Sequence, residues 1–279
     1  MSGLSILVTS RAPNAAARVS RVASILPSDV GAAGVGLLAV AAVAAGLVNA
    51  VAGGGTLISF PALVAVGLPA VTANVTNTVA LCPGYLGGAL AQREALRDRR
   101  PLVRQLVPVA ILGGLTGGIL LLVTSESVFK ALIPYLIFGA CALLAAQTRI
   151  NRYVSRRQGD RGVPKPVLLG TVLVASVYGG YFGAGLGIIL LAVLGVLLSD
   201  DLRIINALKQ VLALVVNTTA AIFFAVSGRV AWWAAAIMAI GALVGGALGG
   251  RLVGKLSPSV LRAVVIVIGT TVGIVYLVR

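Results

Sequence analysis

Two glycine-rich interruptions and one lysine are the groups best placed to do chemistry in this chain. Ala52-Gly53-Gly54-Gly55 and Gly183-Ala184-Gly185-Leu186-Gly187 each cut an apolar run, and a short apolar piece follows each. Such a break frees backbone groups that must be satisfied inside protein or in a wet cavity. Glycine permits the backbone angles and close approach this needs. Amides at the start of a half-helix, at its positive dipole end, can hold an anion. Small residues also serve helix packing throughout membranes, so Gly53, Gly54, Gly55, Gly185 and Gly187 are candidate site residues with a plainer packing role beside it. Lys209 lies inside an apolar run without a carboxylate partner, which makes it a functional candidate. It sits about one turn inside that run, so snorkelling to the interface is the alternative.

A polar face accompanies each break. Thr72, Asn74, Thr76, Asn77 and Thr78 form one, and Asn206, Lys209, Gln210, Asn217 and Thr218 the other. Asn206, Lys209, Ala213 and Asn217 recur at spacings of three and four, which puts them on one helix face. Asparagine and threonine can donate to an anion without a fixed charge, and they also tie helices together. Asn74, Thr76, Asn77, Asn206, Lys209 and Asn217 therefore join the candidate binding set. Pro83-Gly84 is expected to kink its helix.

Other chemistries are excluded by what the chain lacks. Histidine is absent and Cys82 and Cys141 stand alone, so no zinc site, CxxC pair, Ser-His or Cys-His dyad can be written, and no metal or cofactor is expected. An intramembrane enzyme would need a serine near Lys209, and none lies in that run before Ser227; the chain is not read as an enzyme. The seven carboxylates all fall at or outside the ends of apolar runs, which argues against a carboxylate relay at the midplane.

The elements that position these groups are membrane helices. Of the 279 residues, 59% are hydrophobic and 10% charged, against about 45–50% and about 25% in soluble domains. Apolar runs cover 30–52, 57–66, 70–91, 106–123, 130–147, 166–182, 188–198, 205–226, 230–250 and 259–277. Eight can span a core of ~30 Å; the second and seventh are too short at ~1.5 Å per residue. Half of the 22 Lys and Arg crowd the short stretches 93–104 and 149–165, as cytoplasmic loops do, so nucleic acid is not an expected partner. Arg11, Arg18 and Arg21 mark a basic tail without the h-region of a secretory signal; Ala15, Val19, Val22 and Leu26 leave open an amphipathic surface helix or a disordered tail.

Sliding the sequence on itself by 132 residues places Gly53 and Gly55 on Gly185 and Gly187, Asn74 on Asn206, and Gly113-Gly114-Leu115-Thr116-Gly117-Gly118 on Gly245-Gly246-Ala247-Leu248-Gly249-Gly250. Ser125, Ser127 and Lys130 fall on Ser257, Ser259 and Arg262 in the same register. The expected architecture is an all-α polytopic bundle of two tandem homologous halves, each with a glycine-broken half-helix, and about eight crossings. Its parts are a basic tail (1–29), a first repeat (30–148), a basic linker (149–165) and a second repeat (166–279). Internal repeats with interrupted helices are a transporter signature. If each short piece returns to the side it entered, four crossings per half make the halves parallel; if it crosses, five make them inverted. Charge counting favours the parallel form with both termini cytoplasmic. The GxxxG pairs Gly113/Gly117 and Gly245/Gly249 are packing seams, joining either the two halves or two protomers of a homo-oligomer. Ser127 and Ser259 are expected N-caps.

The stretch 46–90, with its triple glycine, Pro61 and Ala73-Asn74-Val75-Thr76-Asn77 ahead of Pro83-Gly84, resembles the TauE/SafE family of membrane permeases; so does Asn206-Ala207-Leu208-Lys209 to Asn217. The resemblance covers 30–278 and implies an inner-membrane bacterial exporter of small sulfur-containing anions such as sulfite, sulfoacetate and related organosulfonates. The residues themselves reach only a bilayer-embedded, anion-selective transporter, with an anion channel or another small-anion permease as the alternative. Val193 stands where the first half has Pro61, and Leu186 interrupts the second glycine run, so the two half-sites need not be equivalent.

Overall fold

The computed structural model describes residues 27–51, 54–156, 164–198, 200–252 and 258–278. Residues 1–26 of the basic tail, Gly53 and the middle of the basic linker lie outside them. The described residues form ten α-helices and no strand: α1 (Pro27–Val51), α2 (Thr56–Ala65), α3 (Ala70–Ala91), α4 (Arg100–Val123), α5 (Glu126–Arg156), α6 (Lys165–Tyr181), α7 (Leu186–Leu197), α8 (Leu202–Val226), α9 (Trp232–Leu252) and α10 (Pro258–Val278). A 3₁₀ turn, Arg93–Arg99, joins α3 to α4. Each apolar run became one helix. Helices α4 and α5 extend past their runs because Arg100–Gln105 and Arg149–Arg156 continue the turns with polar residues. Six of the described helices are long and apolar enough to cross a membrane; α3 carries too much Asn and Thr to count by composition, and α6 is 17 residues long.

Close contacts fix the helix directions. A Cβ at Gly55 would collide with the carbonyl oxygen of Ala45, and a Cβ at Gly34 would lie 3.5 Å from Val66. The start of α2 therefore lies beside the end of α1 and its end beside the start, so the two form an antiparallel hairpin. After α6 the chain doubles back likewise, for a Cβ at Gly179 would lie 2.6 Å from Leu186. Helices α3 and α8 run antiparallel: Asn206 donates to Gln92 at 2.8 Å near one end, and Cys82 meets Thr218 further along. So do α5 and α10, where Arg262 donates to Thr148 at 2.5 Å and Gly269 and Gly273 pack on Cys141 and Phe138 in turn. These two pairs, each 132 residues apart, thus point in opposite directions. The parallel arrangement expected from charge counting does not follow these directions, because that count weighed loops without knowing which helix ends share a face.

The glycine blocks act as seams inside the chain. A Cβ at Gly245 would collide with the carbonyl of Val43, one at Gly46 with that of Ala242, and one at Gly117 with that of Val177. The first two seat α9 on α1 and the third seats α4 on α6, with backbones close enough for dispersion contacts to replace the missing hydrophobic drive. The N-cap of α5 is Ser125 rather than the expected Ser127: its Oγ accepts from Val128 N–H at 3.3 Å. That frees Glu126 to reach sideways, where its carboxylate accepts the N–H groups of Ala70 and Val71 at 2.5 and 3.1 Å and caps α3. The second-half counterpart of Ser125, Ser257, lies outside the described residues.

One end of the bundle is strongly basic. It gathers the 3₁₀ turn, the starts of α4, α6 and α8 and the ends of α3 and α5, and there Arg99 pairs with Asp200. The opposite end, with the starts of α3, α5 and α9, carries Glu126, Lys130 and Arg229 among the described residues. Valine at Gly117 or Gly245 should destabilise the protein by about 1–3 kcal/mol or more. Gly36→Val, a position with nothing within 4 Å, should leave the melting temperature of the detergent-solubilised protein unchanged.

Candidate functional site

A cavity of about 540 Å³ lies where the two hairpin tips meet α3, α5, α8 and α9. Gly54 from the first tip and Gly183, Gly185 and Gly187 from the second line it. Gly54 and Gly185 have φ of 90° and 77°, angles that carry a cost of ~1–2 kcal/mol for residues with a Cβ. The two tips also share a neighbour in α5: Gly54 packs on Leu144 and Gly185 on Ala140. No side chain caps α2 or α7, so their first turns begin at the cavity wall with only carbonyls of the tips as partners.

Lys209 lines this cavity two turns into α8. Its aliphatic stem passes Gly187, where a Cβ would lie 3.8 Å from Cδ; the glycine leaves room for the lysine to reach inward. Among the described residues, no Asp or Glu lines the cavity and Lys209 has no ion pair. The remaining polar lining is uncharged: Asn49, Thr56, Tyr85, Gln92, Gln147 and Gln210. Pro83 and Gly84 complete the α3 wall without ending the helix, and Pro83 leaves the Val79 carbonyl without its helical N–H partner.

The expected set is thus divided. Gly54, Gly185, Gly187 and Lys209 converge on the cavity, whereas Gly53 lies outside the described residues. Gly55 is buried against Ala45. Asn74 donates to the Tyr181 carbonyl at 2.8 Å, and Thr76 accepts from Ala231 N–H at 3.0 Å; both fasten α3 to the other half of the chain. Asn77 is buried with its Oδ1 unpartnered, away from the lining. Asn206 holds Gln92 in place from behind. Asn217 donates to Ala213 within α8 at 2.8 Å, and its Oδ1 lies 3.9 Å from where a Cβ at Gly183 would be. Asn49, Gln92 and Gln147 escaped the sequence reading. Each is an isolated amide near the end of an apolar run, a position that by itself suggests only an interface.

The family described as Sulfite exporter TauE/SafE matches residues 38–276. The chain belongs to the TauE/SafE family. Among similar TauE/SafE-type chains is a Haemophilus influenzae protein named "Probable membrane transporter protein", 28% identical over 80% of this chain and 86% of its own length. Another is YfcA of Escherichia coli, named "Probable membrane transporter protein YfcA", 23% identical over 85% of this chain and 87% of its own. A Sinorhizobium relative, "Probable membrane transporter protein ORF9", is 25% identical over 85% and 90%. No solved structure matches the chain. With its apolar helices, this TauE/SafE member is an integral membrane protein of a transporter family. Gly187→Ala should leave the melting temperature unchanged, since its methyl would make an ordinary 3.8 Å contact. Gly185→Ala should lower it, because φ of 77° disfavours alanine.

Proposed function

We propose that this protein carries a small sulfur-containing anion, sulfite or an organosulfonate, out of the cell across the inner membrane. The observation that carries the reading is Lys209: a cation without an acidic partner, lining a cavity whose other polar groups are all neutral. An ammonium so placed raises the affinity for one negative charge and repels cations. The amides that start α2 and α7 add partial positive charge at the same wall. The family description supports sulfite as the first anion to test.

The proposed architecture is two homologous halves, 30–148 and 166–279, in inverted orientation, with 149–165 as the linker between them. In each half a hairpin enters and leaves by one face, α1–α2 from the opposite end and α6–α7 from the basic end, and three crossings follow. Three is odd, so the second half starts on the other side. Support comes from the packing itself: α1 on α9 mirrors α6 on α4, and α3 on α9 mirrors α8 on α4. The positive-inside rule places the basic face in the cytoplasm, with the start of α1 and the end of α10 on the far side. That reverses the expected cytoplasmic placement of the termini.

Export of a monovalent anion down a negative-inside potential gains ~2.3 kcal/mol per 100 mV, so the rate should rise with imposed potential in proteoliposomes. At subsaturating sulfite, Lys209→Gln should slow flux about tenfold or more, the scale of a lost charge-assisted contact. Lys209→Arg should retain part of it because the charge survives. Equal flux for lysine and glutamine across several potentials would refute the role of Lys209.

A further inference from the structure

The cavity is displaced toward the basic face. Its polar lining at Gln92, Gln147, Lys209 and Gln210 comes from the parts of α3, α5 and α8 nearest that face, and the opposite-face starts of α3 and α5 contribute nothing to it. Beside the second tip, on the side away from the basic face, aromatic rings pack together. Phe182, next to the lining residue Gly183, meets Phe60 of α2 edge-on at 5.6 Å and Phe129 of α5 at 6.3 Å; Phe129 also meets Tyr181 at 5.7 Å. Phe60, Phe129 and Phe182 are 1%, 0% and 2% exposed. Their level in the bundle is fixed by neighbours: Phe129 lies in the first turn of α5 beside Glu126, and Asn74, early in α3, holds the Tyr181 carbonyl.

Such a layer offers a hydrated anion neither donors nor room. Stripping its water against hydrocarbon rings is costly, and apolar constrictions of this kind close pores by dewetting. The positions 132 residues from Tyr181, Phe182, Phe60 and Phe129 are Asn49, Ala50, Ala192 and Leu261. No aromatic stands at any of them, so the basic side lacks the matching residues for an equivalent layer.

We propose that Phe60, Phe129 and Phe182 form the permeation barrier on the face opposite the basic one, and that the cavity as seen here is loaded from the basic face. The inference deepens the transport reading by assigning its closed side, and its test needs no transported substrate. With Cys82 and Cys141 replaced by alanine, Gly187→Cys places a thiol in the cavity beside the Lys209 stem. In oriented vesicles, a membrane-impermeant, negatively charged thiosulfonate should label it from the basic face and about tenfold or more slowly from the other. Phe129→Ala and Phe182→Ala should raise the opposite-face rate toward the basic-face rate, while Phe182→Leu, which keeps an apolar plug, should not. Equal or faster labelling from the opposite face in the chain with all three rings overturns the proposal, whether or not the alanine variants fold. Folded alanine variants with an unchanged opposite-face rate overturn it too. A sulfite flux assay that fails while this labelling pattern holds would remove the anion reading and leave the barrier standing.

Discussion

A hairpin tip between apolar helices leaves backbone amides and carbonyls that hydrocarbon cannot satisfy, and the packing of this bundle encloses both such tips. The chain interrupts two apolar runs with glycine and turns each back on itself. Tips of this kind persist only where protein surrounds them. The seams of α9 on α1 and α4 on α6 supply much of that enclosure: Gly46, Gly117 and Gly245 let backbones approach where any side chain would collide. Bulk in a seam would separate the outer helix from the hairpin it covers, so Gly117 and Gly245 matter to the cavity although they do not line it, and Gly46 both packs the seam and lines the cavity.

The same enclosure sets the electrostatics. Among the described residues, acidic side chains are confined to the two ends of the bundle, as the arginine-rich face with its Arg99–Asp200 pair and the Glu126 cap of α3 illustrate. Lys209 is left without an acidic partner at the one cavity wall made from both tips. Its charge is therefore not consumed by the protein. Asn206 contributes indirectly, by fixing the Gln92 amide at the rim, and Asn74 and Thr76 tie α3 to the end of α6 and the start of α9. Polar residues inside this bundle thus divide between those that hold the frame and those that face the space it encloses.

The aromatic layer gives the molecule a polarity that a symmetric duplication would not have. Its three phenylalanines come from α2, α5 and the second tip, and they pack edge to face, a geometry favoured by the ring quadrupoles. With small or aliphatic residues 132 positions away, the two proposed inverted halves differ in what they place at this level.

Much was legible in the sequence alone: the helices, the two breaks, and Lys209 as a cation inside an apolar run. These are local properties. Hydropathy marks a helix, and glycine marks its interruption. Tertiary structure decided what depends on which residues lie at the same depth on different helices. It set α3 against α8 in opposite directions, which loop charges do not encode. It turned Asn74 and Thr76 toward neighbouring helices and brought Asn49, Gln92 and Gln147, each unremarkable near the end of its own run, around one cavity. It also assembled Phe60, Phe129 and Phe182, far apart in the chain, into a single layer. Helical periodicity says which face a residue occupies, but the partner of that face is chosen by long-range packing, and in this bundle the choice was made by where glycine lets backbones touch.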